Sequence, residues 1–227
     1  MRTLRLYHSP VILVAECEGS GLPEYPKNEI ESREMLSRDM FYTIEEHLDE
    51  FLDYVPYDSN HLKVYSHKLV SIMLEVGPEI LSSFDIAVSE AKNRLSLADD
   101  SVVKDAESLW RREERLKRTK KSLSFFDYYR FLDKHSMPRL SNATIGLVGS
   151  DAYLMPFEES SLQWWESYNL LRHDKYANLK TANLSTALKA CSALFWLVYQ
   201  NQTFSGFESA VFLPKDWGEW PHSFRIV

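Results

Sequence analysis

The residues best suited to chemistry stand in the run QWWESYNLLRHD. From Leu162 to His173 there is no Gly and no Pro, and the apolar residues recur at helical spacing. Trp165, Asn169, Arg172 and His173 fall at i, i+4, i+7 and i+8, so at 3.6 residues per turn they share one face. Arg carries a fixed fork of donors, and His exchanges a proton near neutral pH. Asn, Arg and His on one face can therefore grip an anion and move a proton beside it. The same residues also fit a plainer role. Cations at positions 172 and 173 suit a helix C-terminus, where they meet the negative end of the dipole. Asn169 would then bond locally, and both Trp side chains would belong to the core.

A second candidate is the only basic concentration in the chain, Glu107 to Lys121. Here Arg111, Arg112, Arg115, Lys117, Arg118, Lys120 and Lys121 stand against Glu107, Glu113 and Glu114. Arg111, Arg112, Arg115, Arg118 and Lys121 can bind nucleic acid or an acidic partner. Equally, the stretch can be a solvated helix laced with i, i+4 pairs. The aromatic run that follows, SFFDYYRFLDK, reads as a short helix packing Phe125, Tyr128, Tyr129 and Leu132 on the body. Aromatics beside cations can also stack bases. A third pair, His67 and Glu75, lies two turns apart on one helix side and could serve acid–base work.

Other chemistries lack their signatures. There is no glycine-rich phosphate loop, no G-x-S-x-G elbow and no H-E-x-x-H. Cys17 and Cys191 form no CxxC or His/Cys array, so no metal and no cofactor is expected. Cys191 sits on an apolar helix face and reads as a buried thiol. This cysteine usage, and an N-terminal apolar run too short for a signal peptide, point to a cytoplasmic protein.

These residues must be held by a helical body. With 227 residues the chain can bury a sizeable core, and seven glycines disfavour a β fold built on many tight turns. The net charge of −7 argues mildly against a constitutive nucleic-acid binder. Residues 1–28 read as an N-terminal arm with short β-prone pieces and a Gly/Pro-rich loop. A first helix runs from Asn28 or Ser32 to about Val55, with Phe41, Ile44 and Leu48 on its apolar stripe. Pro56 breaks it, and Ser59 or Asn60 caps a second helix running to Val76. Gly77-Pro78 marks a kink or restart before a helix through Ile80 and Phe84. Asp99-Asp100 reads as a turn. Thr144 to Val148 and Ala152 to Met155 read as a small hairpin around Gly149.

Ser160 or Ser161 caps the Trp-Trp helix, whose stripe is Trp164, Tyr168 and Leu171. After a polar hinge, a helix from about Asn183 to Gln202 carries Leu184, Leu188, Cys191, Leu194, Phe195 and Val198. It is apolar nearly all round from Ala190 to Tyr199 and should be central, yet it is too short to span a bilayer. Residues 203–227 are an aromatic tail that should fold back on the body. Its extended pieces, Ser209 to Leu213 and Ser223 to Val227, could pair with the N-terminal arm. The expected fold is mainly α, a helical bundle over 29–202, with small β elements near the termini and around 144–155.

The stretch YNLLRHDKYANLKTANLSTALKACSALFWLV resembles a pattern of prokaryotic helical proteins. In these a Trp-rich helix leads into Tyr-Asn-x-x-Lys/Arg-His-Asp and an Ala/Leu-rich helix follows. YDSNHLKVYSHKLVSIMLEVGPEI is similar to the first helix pair of that group, with Glu79 and Ile80 matching its Glu-Ile. The group in turn resembles the HEPN superfamily, and the likeness covers about Tyr57 to Gln202. It implies a helical bundle that pairs as a homodimer, within a system that includes toxin and antiviral members. Many HEPN members are metal-independent ribonucleases, and others are non-catalytic binding modules. The catalytic pattern places an Arg four to six residues before the His. Here Asn169 stands four before His173 and Arg172 directly precedes it.

Three functions follow as expectations. The first is a HEPN-like dimerisation or binding module with an RNA or protein partner and no membrane association. The second is a metal-independent endoribonuclease with His173 as acid/base and Arg172 and Asn169 on phosphate. The third is a small-molecule enzyme using His67 and Glu75.

Overall fold

The computed structural model describes residues 29–94, 100–137, 139–158, 162–200, 207–214 and 225–226. The N-terminal arm, with Cys17, lies outside these residues, as do 95–99, 159–161, 201–206 and 215–224. Six α-helices are found among the described residues, with two small antiparallel sheets. The fold is thus mainly α with minor β elements.

α1 (Glu29–Tyr54) and α2 (His67–Arg94) pack side by side. Phe41, Ile44 and Leu48 of α1 are buried against a core that includes Leu69, Met73, Val76, Ile80 and Phe84 of α2. Polar pairs set their register: Arg33 Nη2 lies 2.7 Å from Asp85 Oδ2, and the buried hydroxyls of Ser37 and Ser83 are 2.9 Å apart. α6 (Leu184–Gln200) packs on both helices. Leu188, Cys191, Phe195 and Val198 are buried, as the periodicity requires, and so are Leu69 and Met73. Burial pushes the Cys191 thiol pKa far up, so the thiol is an inert core group.

The segment before α2 differs from the expected helix start at residue 60. The Asp58 carboxylate accepts Asn60 N at 2.7 Å, and His61 N donates to Asp58 O, so the chain turns here instead. Ser66 is the N-cap, its Oγ accepting Leu69 N at 3.1 Å. The turn instead serves α6. Val64 and Leu62 carbonyls accept the N–H groups of Leu184 and Ser185, and Asn183 Oδ1 accepts Thr186 N at 3.1 Å. The first-turn donors of α6 are therefore all satisfied by named partners.

Gly77-Pro78 does not restart the helix. α2 runs through Pro78 because Val76, Ile80 and Phe84 stay buried on one face across it, and that packing outweighs the lost hydrogen bond.

α3 (Asp100–Lys117) starts where a turn was expected, and α4 (Phe125–His135) follows. α3 ends in a Schellman motif: Lys121 N donates to Leu116 O at 2.9 Å and Lys120 N to Lys117 O at 3.0 Å. Lys120 holds the left-handed position, with φ 55°.

β2 (Ile145–Leu147) and β3 (Tyr153–Leu154) form the expected hairpin, with Gly149 at φ 75° in the turn. The expected pairing of the tail with the N-terminal arm lies outside the described residues. β4 (Phe212–Pro214) adds to the free edge of β2, and β5 (Arg225–Ile226) pairs with β1 (Ser136–Met137). Phe207 and Phe212 both lie against Phe195 of α6, at 5.7 and 5.6 Å between ring centroids. Buried Glu45 of α1 fixes this segment by accepting Val211 N at 3.1 Å and the Ser209 hydroxyl.

Candidate functional site

The Trp-rich helix is α5 (Gln163–His173). Trp164, Trp165, Tyr168 and Leu171 are buried. Trp164 Nε1 donates to Pro156 O at 2.8 Å, and the Trp165 ring stacks on Phe125 at 4.4 Å. Tyr168 lies directly on the backbone of α2. A Cβ on Gly77 would come within 2.2 Å of Tyr168 Cε2, so only glycine admits this approach.

The polar residues of the motif take separate positions. Trp165 is buried and so is not part of an open face with the others. Asn169 Nδ2 donates to Trp165 O at 3.0 Å, a local bond one turn back. The Arg172 guanidinium sits 5.7 Å from the Tyr168 ring centroid, a cation–π distance. His173 is exposed and makes no hydrogen bond or ion pair with a described residue. Asp174 builds the turn that follows. Its Oδ1 accepts Tyr176 N at 3.1 Å and Ala177 N at 3.0 Å. Asn178 Nδ2 closes the helix end by donating to Leu170 O and Asp174 O. The loop is thus fixed by its own side chains, and it holds Tyr176 in solvent at 77% exposure with Lys175 over its ring.

The exposed positions of α5 form their own stripe. Gln163, Glu166, Leu170 and His173 stand at i, i+3, i+7 and i+10, and all four are exposed. Leu170 is 47% exposed. Acid lies toward one end of the stripe, and His173, Arg172 and Lys175 lie at the other.

The basic candidates lie elsewhere, on and after α3. Arg111 pairs with Glu107 at 2.9 Å, Arg112 with Asp127 at 3.2 Å, and Lys117 with Glu113 and Glu114. Arg115, Arg118 and Lys121 are exposed and make no ion pair with a described residue. α4 adds cations that the sequence reading passed over as part of an aromatic helix. Arg130 and Lys134 stand one turn apart, and with His135 they face α3 across an open groove. The i, i+4 spacing of 130 and 134 was the available signal. Asp105 of α3 bridges Lys134 and His135 Nε2, the latter at 2.7 Å. The Lys134 ammonium, then His135, holds the Asp105 carboxyl below its usual range.

The His67–Glu75 pair is not assembled. His67 is exposed, and Glu75 accepts instead from His47 Nδ1 of α1 at 3.0 Å. Spacing along α2 could not reveal a partner on a neighbouring helix. Among the described residues, no group of three or more His, Cys, Asp or Glu is placed to hold a metal ion. Nor is any helix among them long and apolar enough to cross a membrane.

Comparison with family models, curated proteins and solved structures finds no match to this chain.

Proposed function

We propose that this chain is a non-catalytic, HEPN-like self-association module, in which the exposed stripe of α5 meets a second copy. The observation that supports it most is the division of labour within α5. Its aromatic side anchors the helix, Asn169 and Asp174 serve the backbone, and Leu170 and Tyr176 remain in solvent on a fixed scaffold. Exposed Tyr and Leu on a rigid element suit an interface centre, where ordering costs little further entropy. Charge supports an antiparallel pairing about a two-fold axis near Leu170. Glu166, which has no ionic partner among the described residues, would then face the cationic end of the other α5.

Sedimentation equilibrium tests the proposal. The wild type is expected to be a dimer at high micromolar concentration and Leu170→Glu a folded monomer. A monomeric wild type, or an unaffected Leu170→Glu dimer, overturns it.

The metal-independent ribonuclease is the second reading, favoured by one observation: His173 is exposed and unengaged, so its imidazole is available for proton transfer. Against it, Asn169 is turned to a backbone carbonyl, and no Arg stands four to six residues before His173, where the catalytic pattern places one.

A further inference from the structure

We infer that the groove between α3 and α4 binds a phosphorylated small molecule. The groove has a volume of about 330 Å³, within the range of about 300–1,000 Å³ typical of small-ligand sites. Leu109 and Phe131, both buried, form an apolar floor. Its walls carry Arg112, Arg115, Arg130 and Lys134, four permanent cations, against the carboxylates of Asp105 and Asp127.

Those two carboxylates are already engaged. Asp127 accepts from Ser124 N and Oγ at the start of α4 and pairs with Arg112. Asp105 is held by Lys134 and His135. Arg115 on one wall and Arg130 on the other keep their forks without an ionic partner among the described residues. A guanidinium from α3 and another from α4, both lining this open groove, can take the oxygens of a terminal phosphate in bidentate charge-assisted hydrogen bonds. The organic part of the ligand would lie over Leu109 and Phe131.

A compact ligand is favoured over a nucleic-acid strand. The chain carries a net charge of −7, and the groove's surplus of cations is local. The two forks without an ionic partner among the described residues, Arg115 and Arg130, match one terminal phosphate, and the apolar floor between α3 and α4 suits a compact organic group. This inference does not rest on self-association. Different residues build the groove and the α5 stripe, so a monomeric protein would keep the site.

Calorimetric titration of the full chain at low salt tests it, with adenosine 5′-monophosphate, inorganic phosphate and adenosine as probes. Both phosphates should bind, the nucleotide more tightly because its base and sugar cover the apolar floor, and adenosine should not bind measurably. The double variant Arg115→Gln/Arg130→Gln should weaken nucleotide binding at least about tenfold, since two charge-assisted contacts are lost. Its thermal melt, read alongside, should match the wild type, because both side chains are exposed. Lys180→Gln, exposed and placed beyond α5, should leave affinity unchanged. The proposal is overturned if neither phosphate binds, if the folded double variant binds as the wild type does, or if a short single-stranded RNA binds and neither phosphate displaces it. Binding of inorganic phosphate as tight as the nucleotide would also overturn it, by removing the organic moiety from recognition.

Discussion

At the scale of single residues, the joint between α5 and α2 rests on Gly77. Replacing a helical glycine with alanine normally stabilises a helix by about 0.5–1 kcal/mol. Here the added methyl would overlap the Tyr168 ring, and neither helix backbone can retreat without opening the core. Gly77→Ala should therefore destabilise by about 1–3 kcal/mol, the range of overpacked cores. Adding Tyr168→Leu should remove much of that penalty in a double-mutant cycle read by urea unfolding. A Gly77→Ala protein more stable than wild type would show that the ring does not lie on this backbone. The sequence made the burial of Trp164, Tyr168 and Leu171 legible, because burial follows from periodicity. It left Asn169 with two readings, an anion contact or a local bond, and the structure shows the local bond. Spacing places an amide on a helix side, but the local carbonyl that it meets depends on its rotamer.

At the scale of elements, α6 was readable because a helix apolar nearly all round has only one place to go. Phe195 packs on Phe41, Phe207 and Phe212, linking α6 to α1 and to the tail. Phe195→Ala should cost about 3–5 kcal/mol, and a loss under about 1 kcal/mol would reject the central role of α6. The sequence placed the start of α2 too early, at Asn60, and left a restart open beside a kink at Gly77-Pro78, because those local signals are real yet compete with packing that only the fold reveals. The end of α3 offers a further check. Lys120 occupies a left-handed position that costs a side chain about 1 kcal/mol relative to glycine. Lys120→Gly should raise the urea midpoint by a corresponding amount, and a lowered midpoint would contradict the assigned Schellman geometry.

At the scale of the whole molecule, the tail is fastened to the body by a buried carboxylate. Burial raises the Glu45 pKa, with Ser209, Val211 and Ala210 hydrogen bonds partly opposing it. The folded value lies above the unfolded one. The protonated form's stabilisation is therefore fully present below about pH 4.5, the ordinary value, and lost as the pH rises through the raised folded value. Glu45→Gln mimics the neutral form and can keep both acceptor contacts through its carbonyl oxygen. Its stability relative to wild type should rise between pH 4 and pH 7, as measured by urea unfolding at roughly unit pH steps. A constant difference across that window would show that Glu45 is not titrating in a buried site. The fold class and the hairpin were legible in the sequence. The strand partners of the tail were not, because two-residue and three-residue pairings leave no pattern to match.

The central claim is that the Asn169–Arg172–His173 cluster finishes a helix and presents a surface, and does not cleave RNA. The most direct measurement is a single-turnover assay on labelled RNA, with chelator present, comparing wild type, His173→Ala and Arg172→Ala. The account predicts no cleavage above background by any of the three, with all three equally folded. Cleavage by the wild type that His173→Ala abolishes without loss of folding would contradict it and restore the imidazole as an acid–base catalyst.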